Sequence, residues 1–442
     1  MSSESSGASK ARFIQDLEAL AQRELPATLA QLRQQSAERF RETDLPHTKM
    51  EEFRQTNLSR VTGRTFTSLA APTAHTVQPE MLATWRYGGD DMPRLVFVDG
   101  YLSQGLSNLD RLPDGVVCGS LWDAMFGPHA AVVEQHLGKY VAEDRNAFAH
   151  LNTAFLQDGP FVYVPKNVQV ETPIQVLHVT SAERGADTAA YPRALYVLGT
   201  SAEATVLETW CALGGAPYLN NHVGEVALGA NAKLNFYKVA EEGDQGDHLS
   251  TLEVHQERDS HFRSFVFTLS GAVVRTQLCI ALDGEGAECD LNGLYLNSGA
   301  RLIDNSLNIT HVKPNCNSRI GYKGVLDGKS SAVFLGKVFV HQDAQKTDSD
   351  QLSSNLLLSD SATIDTKPQL EIFADDVKCT HGATIGGFPE PVVFYFRTRG
   401  IDDATARAML TYGFAAEVVD EIGIEPLRER LEHVIFDMYS PK

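Results

Sequence analysis

The chain has 442 residues, 43% of them hydrophobic, and a formal charge of -19. That is enough apolar material for two or three structural units, while the acidic balance opposes phosphate backbones and anionic lipid surfaces. No apolar run is long enough to span a bilayer and the opening MSSESSGASKARF lacks the apolar core of a secretory signal, so a cytoplasmic protein without nucleic-acid or membrane partners is expected.

From Lys10 to about Glu42 the residues Phe13, Leu17, Leu20 and Leu25 recur at helical spacing, Pro26 interrupts, and Leu29 and Leu32 resume the stripe. Between about Thr62 and Phe155 the texture is mixed: PRLVFVDGYL reads as a strand and turn, GPHAAVVEQHLGKYVAE as a helix. From about Gly159 short β-rich runs broken by Gly, Asp and Asn replace helical periodicity. Turn-like positions fall at Gly284, Gly299, Pro314, Gly328, Ala344, Ser361 and Asp376, in steps of 15, 15, 14, 16, 17 and 15. A repeat of this length without helices buries its apolar side chains by stacking coil on coil, with parallel strands above and below. A β-sandwich of hairpins would turn more often, roughly every 8 to 12 residues. A mainly β protein with a parallel β-solenoid is therefore expected, in three regions: 1–155 helical and mixed, 156–387 the solenoid, 388–442 helical. In the last, Asp402 caps a helix with Ala406, Met409, Leu410, Gly413, Phe414 and Val418 as its apolar stripe and Gly423 as its stop. Pro426 opens a final helix with Leu427, Leu431, Val434 and Ile435 on one face. Helical caps over both ends of the solenoid are expected, because open ends expose unpaired strand edges.

The six cysteines, Cys118, Cys211, Cys279, Cys289, Cys316 and Cys379, include no C-x-x-C pair, so neither a disulfide framework nor a zinc knuckle is indicated. Gly328-Lys329-Ser330 in GVLDGKSS resembles a phosphate-binding loop, but Lys323 stands where its first glycine belongs and a strand follows, so no ATP site is expected. GEGAEC lacks the third glycine and the βαβ setting of a dinucleotide site. His311 and Cys316 in HVKPNC have no spacing that fixes a ligand geometry and read as structural. In VKCTHGATIG, a strand would direct Cys379 and His381 to one face, roughly 6.5 to 7 Å apart along the chain, with Lys378 and Thr380 on the other. Thiolate and imidazole suit zinc or iron, yet two ligands are too few. Spacing alone leaves two readings: ordinary strand residues, or a half-site completed by distant residues or another chain.

The run from Tyr322 to Gly387, with AQKTD and DTKPQLEIFADDVKCTHGAT, closely resembles the SufB/SufD family of the SUF iron–sulfur cluster assembly system, on its SufD side. LNTAFLQDGPFVYVPKNVQVETPIQV, FYFRTRGIDDATARAMLTYGFAAEVV and KMEEFRQTNL add to the likeness, which spans most of the chain. Phe53 and Gln55 stand where the family often has Trp and Tyr, and GGFPEP replaces an acidic GQLDEE-like run. The resemblance implies a right-handed β-helix between helical regions and a non-catalytic scaffold subunit. It implies pairing with SufB, homodimerisation as an option for the isolated chain, and binding of the ATPase SufC through the helix carrying Ala408, Met409, Gly413 and Phe414. It also implies a transient iron–sulfur cluster shared with SufB, near Cys379 and His381, with a sulfur donor system acting indirectly. Of these two, His381 is the better match to Fe(II), and Cys379 suits either iron or sulfur. Flavin binding and any role of Cys289 or Cys316 stay open. The rival readings are a carbohydrate-active β-helix enzyme, whether lyase or hydrolase, and an inert structural partner of SufB.

Overall fold

The computed structural model describes residues 3–20, 24–69, 72, 74–89, 91–141 and 146–439. Helices α1 (Ser3–Leu20) and α2 (Ala27–Glu42) carry the predicted stripe, with Phe13, Leu17 and Leu29 buried; residues 21–23 of the expected helical span lie outside the described residues. Pro26 sits at the N-cap of α2, where its fixed φ and missing N–H do no harm. There follow α3 (Ser59–Thr62), β1 (Thr67–Ser68), β2 (Arg94–Val98), β3 (Tyr101–Leu102), β4 (Val117–Ser120), α4 (Leu121–Phe126), α5 (Ala130–His136) and α6 (Ala147–Phe155). The helix expected over 127–143 forms only as α5, Ala130–His136. It is cut short because the buried Glu225 carboxylate accepts the N–H groups of Gly138 (2.7 Å) and Tyr140 (3.0 Å), drawing the chain into a turn in which Gly138 has φ +76°. Residues 142–143 of that expected helix lie outside the described residues.

The β-rich region is a parallel solenoid of two facing sheets. It opens with β5 (Pro160–Val164), β6 (Ile174–Thr180), β7 (Thr188–Ala190), β8 (Arg193–Leu198), β9 (Glu203–Ala212), β10 (Tyr218–Leu228) and β11 (Lys233–Glu241). It continues through β12 (Gly246–Gln256), β13 (His261–Ser270), β14 (Val273–Leu282), β15 (Glu288–Asn297) and β16 (Leu302–His311). The last coils are β17 (Asn317–Leu326), β18 (Ser331–Val340), β19 (Asp348–Leu357), β20 (Thr363–Ile372) and β21 (Lys378–Gly386). One sheet runs β20-β18-β16-β14-β12-β10-β8-β5-β4 and the other β21-β19-β17-β15-β13-β11-β9-β6-β2-β3. Leu302 pairs with Ser331 and Asp348 with Lys378, so one coil takes two strands and two turns. The 15-residue spacing seen in the sequence therefore measures half a coil.

One turn of each coil is fixed by a residue in the left-handed region: Asn167, Ser201, Asn231, Asp259, Gly286, Asn315 and Lys346. Each donates its N–H to a carbonyl in the corresponding turn of the next coil, from Asn167 to Thr200 (2.9 Å) through Asn315 to Gln345 (2.9 Å) and Lys346 to Asp376 (2.7 Å). Asn, Asp and Gly tolerate this conformation best, which is why they punctuate the sequence. Gly328-Lys329-Ser330 belongs to the opposite turn, with Gly328 stacked on Gly299, and GEGAEC is the turn around Gly286.

Apolar clusters in the lumen and on the outer faces of both sheets hold the molecule together. The lumen between the sheets is filled by residues such as Val226, Phe236, Phe262, Leu278, Leu291 and Phe334. N-terminal residues Phe13, Phe40, Phe148 and Leu151 cover the outer face of one sheet at Leu219, Leu249 and Val273. The C-terminal helices α8 (Asp403–Val419) and α9 (Glu425–Tyr439) cover the outer face of the other at Leu207, Tyr237, Phe265 and Leu294, while α7 (Glu390–Thr398) packs on α8. The Asp402 cap forms, its side chain accepting from Thr405 N at 3.0 Å, and Leu427, Leu431 and Ile435 of α9 are buried.

Three expectations are corrected here. The packed face of α8 is Ala406, Thr411, Ala415, Val418 and Val419, whereas Met409 is 50% exposed and Gly413 is exposed, because small side chains let the helix sit close on the sheet; Lys323 donates to the Phe414 carbonyl (3.1 Å) and lies over its ring. The helix ends at Val419, and Gly423 lies beyond it, donating its N–H to Tyr237 Oη (3.2 Å). The helices are also not caps over both ends: they lie on sheet faces, which offer more apolar area than an edge, and among the described residues β20 and β21 have no strand partner on one side.

Candidate functional site

Along each sheet, side chains of one parity enter the lumen and those of the other face outward. Cys379 packs against the lumen cluster, so Cys379 and His381, two residues apart in β21, both occupy inward positions. The register stacks Phe262, Cys289, Ser318, Ser349 and Cys379 in one column and Leu291, Ile320, Gln351 and His381 in the next. Both columns are buried until the last coil, where Cys379 is half-buried and His381 exposed. The strand thus does what its alternation predicts: the thiol and imidazole share one face, at the mouth of the solenoid. Thr380 faces outward and donates to Asp350.

The electrostatics of this mouth favour a resting thiol. Burial raises the Cys379 pKa, the Asp348 carboxylate adds to the rise, and the Ser349 N–H opposes it. A cation arriving from outside would reverse that balance by stabilising the thiolate. Among the described residues no group of three or more His, Cys, Asp or Glu is arranged to hold a metal ion, so the pair supplies two donors and no more.

Behind the mouth lies a buried polar file that spacing did not reveal. His311 Nε2 lies 2.9 Å from Ser318 Oγ, and Ser318 Oγ donates to Ser349 Oγ at 2.8 Å, one coil below Cys379. His311 and Cys316 do not meet as ligands: His311 belongs to this file, and the Cys316 thiol donates to Gly284 O at 3.2 Å. Cys289 is buried, and its burial pushes the thiol far above its ordinary range. Deeper in the lumen a second network joins Trp210 and Tyr196 to Glu208, and Lys238 and Glu242 to His248. Its sequence signal was polar residues at inward positions of strands such as LETW and NFYKVA, which can be recognised only once the parity of each strand is known.

The other predicted site lies on α8, which packs on the outer face of β15 and β17. Met409 and Gly413 share an exposed face, Ala408 is half-buried, and Phe414 is partly tucked against the sheet. A Cβ added at Gly413 would meet nothing, so that face is open. Phe394 and Tyr395 of α7 and Phe436 of α9 are further exposed aromatic side chains in this helical region, at 62%, 56% and 62% exposure. Phe53, a departure from the family's Trp, is buried beneath the Arg275 guanidinium at 4.7 Å.

Comparison with known proteins agrees with this architecture. Residues 178–414 match the SUF system FeS cluster assembly, SufBD core domain, and residues 8–176 match the SufBD protein N-terminal region. The chain is 32% identical over 399 residues to the iron–sulfur cluster assembly protein SufD of Escherichia coli, covering 90% of each chain. It is 31% identical over 415 residues to an iron–sulfur cluster assembly SufBD family protein of Synechocystis, covering 92% of this chain and 90% of that one. It is 28% identical over 431 residues to SufD of Bacillus subtilis, covering 93% and 94%. A two-sheet solenoid with flanking helices, matched over nearly its whole length by these sequences, belongs to the SufBD family of iron–sulfur cluster assembly proteins and has SufD proteins among its homologues.

Proposed function

We propose that this chain is a non-catalytic, cytoplasmic scaffold subunit that pairs with a SufB-type chain across the open end of its solenoid and holds a nascent iron–sulfur cluster there with Cys379 and His381. The observation that carries this reading is their position: the two side chains best suited to iron and sulfur occupy inward sites on the one strand of their sheet whose outer edge is unpaired at that end. Unpaired strand edges pair readily with another chain, and β21 is nine residues long with no proline to block it. In β20, by contrast, Pro368 removes a donor from the ladder. Two donors from this chain and the remainder from the partner would complete the cluster's coordination, which commonly takes four protein ligands. The cluster is cargo, formed and passed on.

The exposed face of α8 around Met409 and Gly413, with Ala408 and Phe414 beside it, is the docking element for a SufC-type ATPase. Because α8 packs on β15 and β17 of the sheet that ends in β21, ATP-driven movement at the helices is transmitted through that sheet to the mouth. The experiment is the iron and acid-labile sulfide content of the assembled complex with SufB and SufC, comparing wild type with His381→Ala and Cys379→Ser at equal assembly. Loss of cluster with assembly intact is expected. Unchanged cluster in both variants would make this chain a purely structural partner.

A further inference from the structure

Gln351 lies directly below His381: the two are register partners in adjacent parallel strands, on the same inward face and about 4.7–4.9 Å apart across the ladder. Beneath Gln351 the column is apolar, with Ile320 and then Leu291. The change to a carboxamide therefore falls on the last buried coil, immediately under the imidazole. Gln351 is 1% exposed, and among the described residues neither its Oε1 nor its Nε2 has a hydrogen-bond partner. Room for the amide depends on Gly336 across the lumen, where an added Cβ would lie 2.0 Å from Nε2. Its neighbour Ser349, under Cys379, is already engaged by Ser318. An unpaired buried amide is disfavoured unless something uses it.

We infer that Gln351 is the positioning residue for His381: when the exposed imidazole turns in over it, the carboxamide oxygen, unpartnered in the structure, accepts the N–H of the neutral ring, fixes the tautomer, and leaves the other ring nitrogen aimed out of the mouth toward a metal ion. An imidazole that ligates a metal through one nitrogen needs an acceptor for the proton on the other, and a backbone or side-chain carbonyl is the usual one. The metal half of this statement rests on the reading of His381 as a ligand. The tautomer half does not.

The test uses the full-length chain labelled with 15N-histidine, with the His381 signals assigned by their loss in His381→Ala. In the metal-free wild type one neutral tautomer of His381 is expected to dominate. Gln351→Leu should return it to a mixture of tautomers and lower the affinity for Co(II), used as the probe metal, about 10- to 100-fold. Gln351→Glu, which keeps an acceptor oxygen, should restore both. An unchanged tautomer in a folded Gln351→Leu chain overturns the inference. So does a Gln351→Leu chain that melts well below wild type, because the amide would then be holding the fold. Co(II) affinity unaltered by His381→Ala would instead defeat the ligand reading, while the tautomer comparison would still judge Gln351.

Discussion

The two ends of the solenoid are built in opposite ways. At the N-terminal end the edge strands β3 and β4 are two and four residues long, each turned back antiparallel on its neighbour. The Asp158 carboxylate ties them together, accepting from Leu102 N (3.1 Å), Ser120 Oγ (2.7 Å) and Trp122 N (3.3 Å). At the C-terminal end β20 and β21 are ten and nine residues long, parallel to their single neighbours, and neither has a fully buried side chain. Short, folded-back edges resist association, while long straight ones invite it. The difference sets a self-paired, braced end against one whose strand edges stay open.

The largest effect should come from the buried pair near the closed end. Arg193 and Glu225 are fully buried, 2.5 Å apart, and Glu225 also anchors the turn at Gly138 and Tyr140. Arg193→Leu strands a carboxylate in the interior and should lower stability by about 3–5 kcal/mol in urea unfolding. The Lys337–Glu371 pair on the last coils is 37% and 33% exposed, so Lys337→Met should cost less than about 1 kcal/mol. Similar losses at the two sites would erase the contrast.

Acid sharpens the comparison inside the lumen. Burial lowers the His311 pKa to about 4, below the ordinary value of 6.5. The unfolded chain takes up a proton there as pH falls through about 6.5, and the folded chain does not until about pH 4, so stability should decline across that window. At pH 5 the His311 contribution is about 2 kcal/mol, and His311→Gln should flatten the decline between pH 7 and pH 5 by that amount. His178, held down to about 3 by burial against Trp210, extends the same loss to lower pH.

Much of the solenoid was legible because its turns must adopt left-handed backbone, and Asn, Asp and Gly at positions such as Asn315 and Gly286 mark them. The sequence could not say that 15 residues make half a coil, since strand pairing is a relation between distant residues. The Cys379 and His381 pair was readable from the period of a strand. Gln351 was not, because its significance lies in a partner 30 residues away and a glycine across the lumen. The packed face of α8 was misjudged for a related reason: size decides what fits against a sheet, and Ala406 and Ala415 pack where the larger Met409 does not.

Hydrogen–deuterium exchange on the full chain, with and without a SufB-type subunit, would test the central claim most directly. The account predicts that amides of Thr363–Ile372 and Lys378–Gly386 exchange fastest among the solenoid strands of the free chain and become protected on complex formation, most strongly in β21. Protection confined to β3, β4 or the outer sheet faces, with β21 exchanging as before, would contradict it.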